Sequence, residues 1–480
     1  MNVLIVAEQF KKGGLETHIL NQVSSLSPKI KFVFAFGAYE QTPALDDSTI
    51  YSLEDFTSGY TVKRLHSQVL QLVEIIEHEK IDVIHAHPFL SLLPALFASV
   101  LTGKPMVYTL HGALSLSGHS YSFAYSFLQR YFFTQMNASV ITVRQDFVPT
   151  LTLDYGIKNF VYIPNSVRNA IRAARDLSGR WALLSRLDNE SKSAILQLIY
   201  QIDELGIHAI DIYGVGQYRD DIAALIDSKN LNSRVRLCGW SRGLDDALSN
   251  MTYEGVIGHG QVALEGLAMG MPVLLLSYGR ISGLIDRALY ENIKTCNFVN
   301  IYLPDSSVTD IVRQLVDYRG NSDTYIFPDT VAHEFDNDTI QQKYTAFLEQ
   351  VTYCHSVPLV DMWHSITRAM QENPVILEEE FLSSGFIEDL LQQHFPNNGL
   401  TIEPLLLEKL SRNVQTHTFQ SQLKETSWQV EQQRQQIEQL TDQLAGQIEQ
   451  QKQQIAQLLS WRGAAKSLLS ATKRKLLRAM

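Results

Sequence analysis

Residues 1–20 read Met1-Asn2-Val3-Leu4-Ile5-Val6-Ala7-Glu8-Gln9-Phe10-Lys11-Lys12-Gly13-Gly14-Leu15-Glu16-Thr17-His18-Ile19-Leu20. The apolar run Val3 to Ala7 suits a short buried strand, Gly13-Gly14 interrupts the pattern, and Ile19, Leu20, Val23 and Leu26 then recur at helical spacing. The stretch predicts strand, loop and helix in that order. A glycine pair before a helix lets backbone N–H groups approach an anion, and the helix N-terminus favours negative charge there. A plain turn that needs positive φ fits the same two residues. G-x-G-x-x-G is absent, so this is not the dinucleotide fingerprint.

The alternation continues outward. Lys31 to Phe36, Asp82 to His85, Met106 to Leu110, Ser139 to Val143 and Val161 to Ile163 read as strands, with helical patterns over Val62 to Glu79 and Leu92 to Leu101. Pro164-Asn165 marks a domain junction. A second series follows, with strands at Trp181 to Leu184, Ala209 to Tyr213, Val235 to Cys238, Gly255 to Ile257 and Pro272 to Leu276. Such alternation predicts the α/β class: two tandem Rossmann-like, doubly wound domains, over residues 1–165 and 166–355. Ligands of open parallel sheets sit beyond the carboxyl ends of the strands, so two such domains are expected to hold a ligand between them.

The chain has 480 residues, 45% hydrophobic and 10% aromatic, which excludes a mainly disordered protein. Its net charge of −11 argues against nucleic acid as a partner, because duplex affinity comes largely from Lys and Arg at phosphates. Cys238, Cys296 and Cys354 lie too far apart to indicate a disulfide framework or a zinc cluster, in keeping with a reducing compartment. The N-terminus lacks a basic n-region and meets Glu8 early, so it does not read as a secretory signal, and the expected location is cytoplasmic. The uncharged stretch between Asp82 and Lys104 contains His85, His87, Pro88 and Pro94, and reads as strand, loop and helix rather than a membrane span.

Beyond residue 340 the character changes. Asp338 is expected to cap a helix through Ile340, Tyr344, Phe347 and Val351, and residues 356–420 form a mixed helical region. Over 421–460 the heptad steps Leu423, Val430, Ile437 and Leu444, followed by a stutter to Ile448, Ile455 and Leu458, predict a coiled coil and self-association into a homo-oligomer. A solvated Gln-rich tail is the alternative. Residues 461–480 combine Arg462, Lys466, Lys473, Arg474, Lys475 and Arg478 with Trp461, Leu468, Leu469, Leu476 and Leu477. That amphipathic basic pattern suits peripheral contact with an anionic membrane, at its inner face; a merely solvated basic helix end reads equally well.

Five further segments occur in order: Gly13-Gly14-Leu15-Glu16-Thr17-His18, Asp82-Val83-Ile84-His85-Ala86-His87, Thr109-Leu110-His111-Gly112, Ile163-Pro164-Asn165-Ser166-Val167, and Ala263-Leu264-Glu265-Gly266-Leu267-Ala268-Met269-Gly270-Met271-Pro272-Val273. Together, across about residues 1 to 350, they resemble the retaining GT-B glycosyltransferases of family 4, which use sugar nucleotides. Retaining transfer must stabilise a departing diphosphate and a cationic sugar, so it needs fixed positive charge and sugar acceptors.

The resemblance implies roles. Arg186 and Lys192 are similar to the family's diphosphate-binding pair, a planar fork and a point charge that suit a leaving group without a metal. They stand six apart where five is usual, and Ser185 replaces a common Gly. Glu265 resembles the carboxylate that holds the ribose hydroxyls, and His111 the histidine at the donor sugar. Gly214 and Gly216 match a loop beside the nucleotide, and Asn165 an element orienting the cleft, although Arg168 stands where an Asp is usual three residues on. The family's second Glu, eight residues before Glu265, is Ile257 here. Gly258, His259 and Gly260 are then expected to supply the sugar contacts, by backbone or imidazole.

Asp336-Asn337-Asp338 has the spelling of a metal-binding pair, yet it precedes a helix and reads as a cap, so neither a metal nor a cofactor beyond the donor is expected. The expected function is metal-independent, retaining transfer of a sugar from a nucleoside-diphosphate sugar to a glycan or lipid-linked acceptor in cell-surface polysaccharide synthesis. A non-catalytic sugar-nucleotide-binding scaffold is the rival reading, and an epimerase or phosphorylase on the same fold a third. Base, sugar and acceptor do not follow from these residues.

Overall fold

The computed structural model describes residues 1–396 apart from 11–13, 25–29, 40–44, 46–47, 55, 57–60, 113–114, 116–122, 169–170, 242, 250, 278, 300–305 and 373–384. Gly13, the expected coiled coil over 421–460 and the basic tail over 461–480 lie outside the described residues.

The first series forms β1 (Asn2–Phe10), α1 (Gly14–Ser24), β2 (Lys31–Tyr39), β3 (Thr49–Ser52), α2 (Val62–His78), β4 (Val83–Ala86), α3 (Leu92–Thr102), β5 (Met106–Leu110), α4 (Phe123–Thr134), β6 (Ser139–Thr142) and β7 (Phe160–Tyr162). Its seven strands are parallel, in the order β3-β2-β1-β4-β5-β6-β7. Strands covered on both faces need apolar residues throughout, and Val3 to Ala7, Val33 to Phe36 and Val83 to Ala86 are all buried. Helix α2 buries Val62, Leu65, Val69, Leu72, Ile75 and Ile76 at helical spacing, and the Thr61 hydroxyl caps it by accepting from Arg64 N at 3.1 Å.

The second series forms β8 (Arg180–Leu184), α5 (Asn189–Tyr200), β9 (Ala209–Tyr213), α6 (Arg219–Ser228), β10 (Val235–Gly239), α7 (Leu244–Ser249), β11 (Gly255–Gly258), α8 (Gln261–Ala268), β12 (Val273–Ser277) and β13 (Arg280–Leu284). Here the order is β10-β9-β8-β11-β12-β13, parallel except for β13, which runs antiparallel against β12. Strand β13 and the edge strand β3 are additions to the expected series. Helices α9 (Arg287–Ile293), α10 (Val308–Gly320), α11 (Pro328–Glu334) and α12 (Asn337–Leu348) complete this part. The cap of α12 is Asp336, whose carboxylate accepts from Thr339 N at 2.9 Å, rather than the expected Asp338.

After α12 the chain returns to the first sheet's helices. In α13 (Val357–Glu372), Trp363 stacks on His66 of α2 with centroids 4.9 Å apart and lies 5.8 Å from Phe97 of α3. After α14 (Gly385–His394), Phe395 packs edge-on against Phe127 and Tyr131 of α4, so the aromatic stretch ending at Phe133 belongs to a buried helix. Among the described residues no helix is long and apolar enough to cross a membrane, and the three cysteines are free.

Candidate functional site

Strand order places the chemistry. In the first sheet the chain winds outward in opposite directions from the β1/β4 boundary, and in the second from the β8/β11 boundary. A crevice opens at such a switch point beyond the carboxyl ends of the strands.

At the first switch point three histidines converge from adjacent strands: His18 on α1 after β1, His87 after β4 and His111 after β5. His87 Nδ1 lies 3.0 Å from His111 Nε2, and the His18 ring stands perpendicular to His111 with centroids 4.7 Å apart. His18 Nδ1 bonds the Asn165 side-chain oxygen at 2.9 Å. An amide oxygen only accepts, so His18 carries its proton on Nδ1 and leaves Nε2 as a bare lone pair. His18 Nε2 and His87 Nε2 are both buried without a hydrogen-bond partner. Burial favours the neutral imidazole, holding His18 down at about 4 and pushing His87 and His111 well below the ordinary histidine value. His85, one step deeper in β4, is satisfied on both sides by Tyr344 Oη at 2.7 Å and Thr109 Oγ1 at 2.6 Å.

Asn165 links this cluster to the second domain. Its amide nitrogen donates to the Asn297 side-chain oxygen at 2.9 Å, and Phe298, next along the chain, accepts from Gly260 N at 3.0 Å. Its neighbour Ser166 accepts from the Asn21 and Gln261 side chains at its carbonyl, at 3.1 and 3.0 Å. Arg168 donates to the Leu20 carbonyl at 2.5 Å. Asn165 and Ser166 are thus hydrogen-bonded both to α1 of the first series and to residues of the second.

At the second switch point Arg186 follows β8, and its side chain is 62% exposed. It pairs with Asp188 at 3.2 Å and Glu190 at 3.6 Å. Asp188 is also the N-cap of α5, in a capping box with Ser191, whose hydroxyl also bonds the Arg186 carbonyl. Gly214 and Gly216 set this loop. A Cβ at Gly214 would meet Ser185 O at 2.0 Å and one at Gly216 would meet Leu187 O at 2.3 Å, so only glycine lets the two loops bond through Leu187 N and Val215 O at 3.0 Å.

His259 follows β11. Burial and then the Arg186 charge lower its pKa, and its Nδ1 is buried without a partner. Gly260 caps α8 at φ 57° and ψ −129°, a conformation open essentially to glycine. Glu265, one turn into α8, accepts from Gln261 at 2.8 Å. Burial pushes its carboxyl up to about 7, aided by Asp245 and opposed by Arg168.

Residues 12–169 match the family model described as Glycosyltransferase Family 4. Over these residues the chain resembles glycosyltransferase family 4. The two-domain arrangement around the family 4 segment is the GT-B fold, shared with solved structures of low sequence identity. Anabaena Alr3699/HepE in complex with UDP and glucose is 16% identical, with 73% of this chain and 100% of that one covered and a TM-score of 0.56. Sucrose-phosphate synthase from Thermosynechococcus elongatus is 12% identical over 73% and 99% of the chains, with a TM-score of 0.53. The lipopolysaccharide outer core galactosyltransferase WaaB in its apo form is 14% identical over 72% and 99%, with a TM-score of 0.50. No curated protein sequence matches the chain.

Within this glycosyltransferase fold the expected residues separate into two groups. His111 and Asn165 stand at the first switch point, Gly14 opens α1 with nothing within 4 Å of a built Cβ, and Arg186, His259, Gly260 and Glu265 gather around the loops after β8 and β11. Lys192 is engaged elsewhere: its ammonium pairs with Asp221 at 3.0 Å and lies 4.0 Å from the Tyr218 ring centroid. Gly258 ends β11, where a Cβ would meet Val262 at 2.5 Å, so packing alone requires it. Ile257 is fully buried in the second core, level with Leu183 and Leu274 on the neighbouring strands. His18 and His87 were missed as a pair with His111, because only the parallel sheet order unites them.

Proposed function

We propose that the chain is a glycosyltransferase that moves a sugar from a nucleoside-diphosphate sugar to a glycan or lipid-linked acceptor, with retention of configuration and with no metal at the diphosphate. The observation that carries this reading is the exposed Arg186 guanidinium just past β8, at the second switch point, in a chain whose residues 12–169 match the family 4 model. An exposed guanidinium paired with Asp188 and Glu190 at the start of α5 can turn to a diphosphate and neutralise the charge that grows as the glycosidic bond breaks. The Glu265 carboxylate is assigned to the ribose hydroxyls and His111 to the donor sugar. His259 offers an unpartnered Nδ1 in place of the absent Glu. Lys192 is assigned to holding α5 against α6 rather than to the phosphates.

Since the Anabaena structure of this fold holds UDP and glucose, uridine nucleotides are the first donors to test. A thermal-shift screen of nucleotide sugars checks the reading, because a ligand that binds only the native state raises the melting temperature. Stabilisation by at least one donor, followed by release of nucleoside diphosphate with a glycan acceptor, supports it. The scaffold reading, favoured by the burial of Ile257, requires stabilisation with no release under any acceptor. The coiled coil, homo-oligomer and inner-face membrane contact complete the proposal, in which the tail keeps the enzyme near lipid-linked substrates in the cytoplasm.

A further inference from the structure

We infer that His18, His87 and His111 form a binding site for a zinc-class divalent metal ion. One ring nitrogen from each residue lies within 4.8 Å of the other two. The closest approach, 3.0 Å between His87 Nδ1 and His111 Nε2, matches two nitrogens sharing one ion, which bonds of about 2.0–2.1 Å place about 3.0–3.4 Å apart. From the 4.8 Å limit, a shift of the His18 ring by about 1.5 Å brings the third nitrogen to that spacing.

Two further observations point to a ligand. His18 Nε2 is a buried polar atom without a partner among the described residues, whereas neighbouring His85 is satisfied at both nitrogens. His18 also has the outer partner characteristic of a metal-bound imidazole: Nδ1–H donates to Asn165 Oδ1, which fixes the ring and presents the Nε2 lone pair. Three neutral imidazoles with an open fourth position favour zinc, cobalt or nickel over magnesium or calcium, which prefer oxygen. The ion would occupy the space beside His111, so, resting here on the proposed function, an occupied metal site and a bound donor sugar exclude each other.

The test uses the untagged full-length chain. Equilibrium dialysis against zinc is predicted to give about one equivalent bound with a dissociation constant below about 10 μM, and cobalt to give the visible absorption of a tetrahedral site. His18→Gln, His87→Gln and His111→Gln are each predicted to weaken binding by about tenfold or more, Asn165→Ala by a smaller factor, and His66→Gln not at all. Should a cluster variant fail to fold, X-ray absorption on the zinc-loaded wild type counts the imidazole ligands directly, with three expected. Absence of stoichiometric binding, binding that His18→Gln leaves intact, or fewer than three imidazoles overturns the inference. Dialysis contains no nucleotide, so its outcome is independent of the transferase reading; inhibition of donor turnover by zinc tests the link between them.

Discussion

Arg186 Nη2 lies 3.2 Å from the carboxylate of Asp188, the residue that also caps helix α5. The positive group assigned to the donor diphosphate is therefore held by two acids at the start of α5, its cap Asp188 and Glu190 in its first turn. These carboxylates must yield the guanidinium to a stronger anion. Exchange of this kind costs little at an exposed side chain, where ion pairs contribute roughly 0–1 kcal/mol.

Asp188→Asn separates the two roles of Asp188. Asn caps a helix about as well as Asp, so stability is predicted to change by less than about 0.5 kcal/mol. Removing the negative charge frees Arg186 and reduces repulsion, so nucleoside diphosphate is predicted to bind about 3- to 10-fold more tightly at low salt. Isothermal calorimetry reads both the affinity and the loss of the effect at high salt.

Lys192→Met tests the assignment of Lys192 to packing. Loss of the Asp221 pair and of the contact with the Tyr218 ring is predicted to lower stability by about 1 kcal/mol while leaving donor turnover within about fivefold of wild type. A drop of about a hundredfold in kcat with an unchanged melting curve would return Lys192 to the diphosphate.

The Glu265 carboxyl, raised to about 7 chiefly by burial, gives a pH signature. In the unfolded chain it ionises near the ordinary value of 4.5, so between there and 7 the fold holds a proton the unfolded chain has released. Its contribution to stability therefore falls as pH rises through that window. Recognition of the ribose needs the ionised acceptor. Affinity for a nucleotide sugar, whose diphosphate diester does not titrate in this range, is predicted to rise several-fold from pH 6 to 8 and to be flat in Glu265→Gln.

Much of the fold was legible because β1, β8 and β12 carry the continuous, buried apolar runs Val3 to Ala7, Trp181 to Leu184 and Val273 to Leu276, and β4 and β5 are broken only by His85 and Thr109. Strands β3 and β13 were not, since Thr49-Ile50-Tyr51-Ser52 and Arg280-Ile281-Ser282-Gly283-Leu284 are short edge segments in which polar residues interrupt the apolar signal. Arg186 and Glu265 were legible through the family resemblance and His259 as the substitute for the missing Glu, and Arg186 and His259 do lie just past β8 and β11, at the carboxyl edge of the sheet. The engagement of Lys192 was hidden, as Asp221 and Tyr218 belong to the next helix. His18, His87 and His111 were equally hidden as a cluster, brought together by the β1-β4-β5 order.

Ile257→Glu addresses the departure from the family pattern. Position 257 points into the core between Leu183 and Leu274, so a carboxylate there has no partner and no access to the sugar. The substitution is predicted to destabilise the protein by about 3 kcal/mol or more and to give no gain in turnover. Folded, more active Ile257→Glu protein would show that the strand end can open to present the side chain to the donor.

Release of nucleoside diphosphate from the donor identified by the thermal-shift screen, compared between wild type and Arg186→Ala, tests the transferase account most directly. The exposed side chain makes correct folding the expected state of the variant, which circular dichroism checks. The account predicts a fall of about a hundredfold or more in kcat, the scale on which a transition-state charge partner contributes. Turnover by folded Arg186→Ala within about threefold of wild type would contradict it.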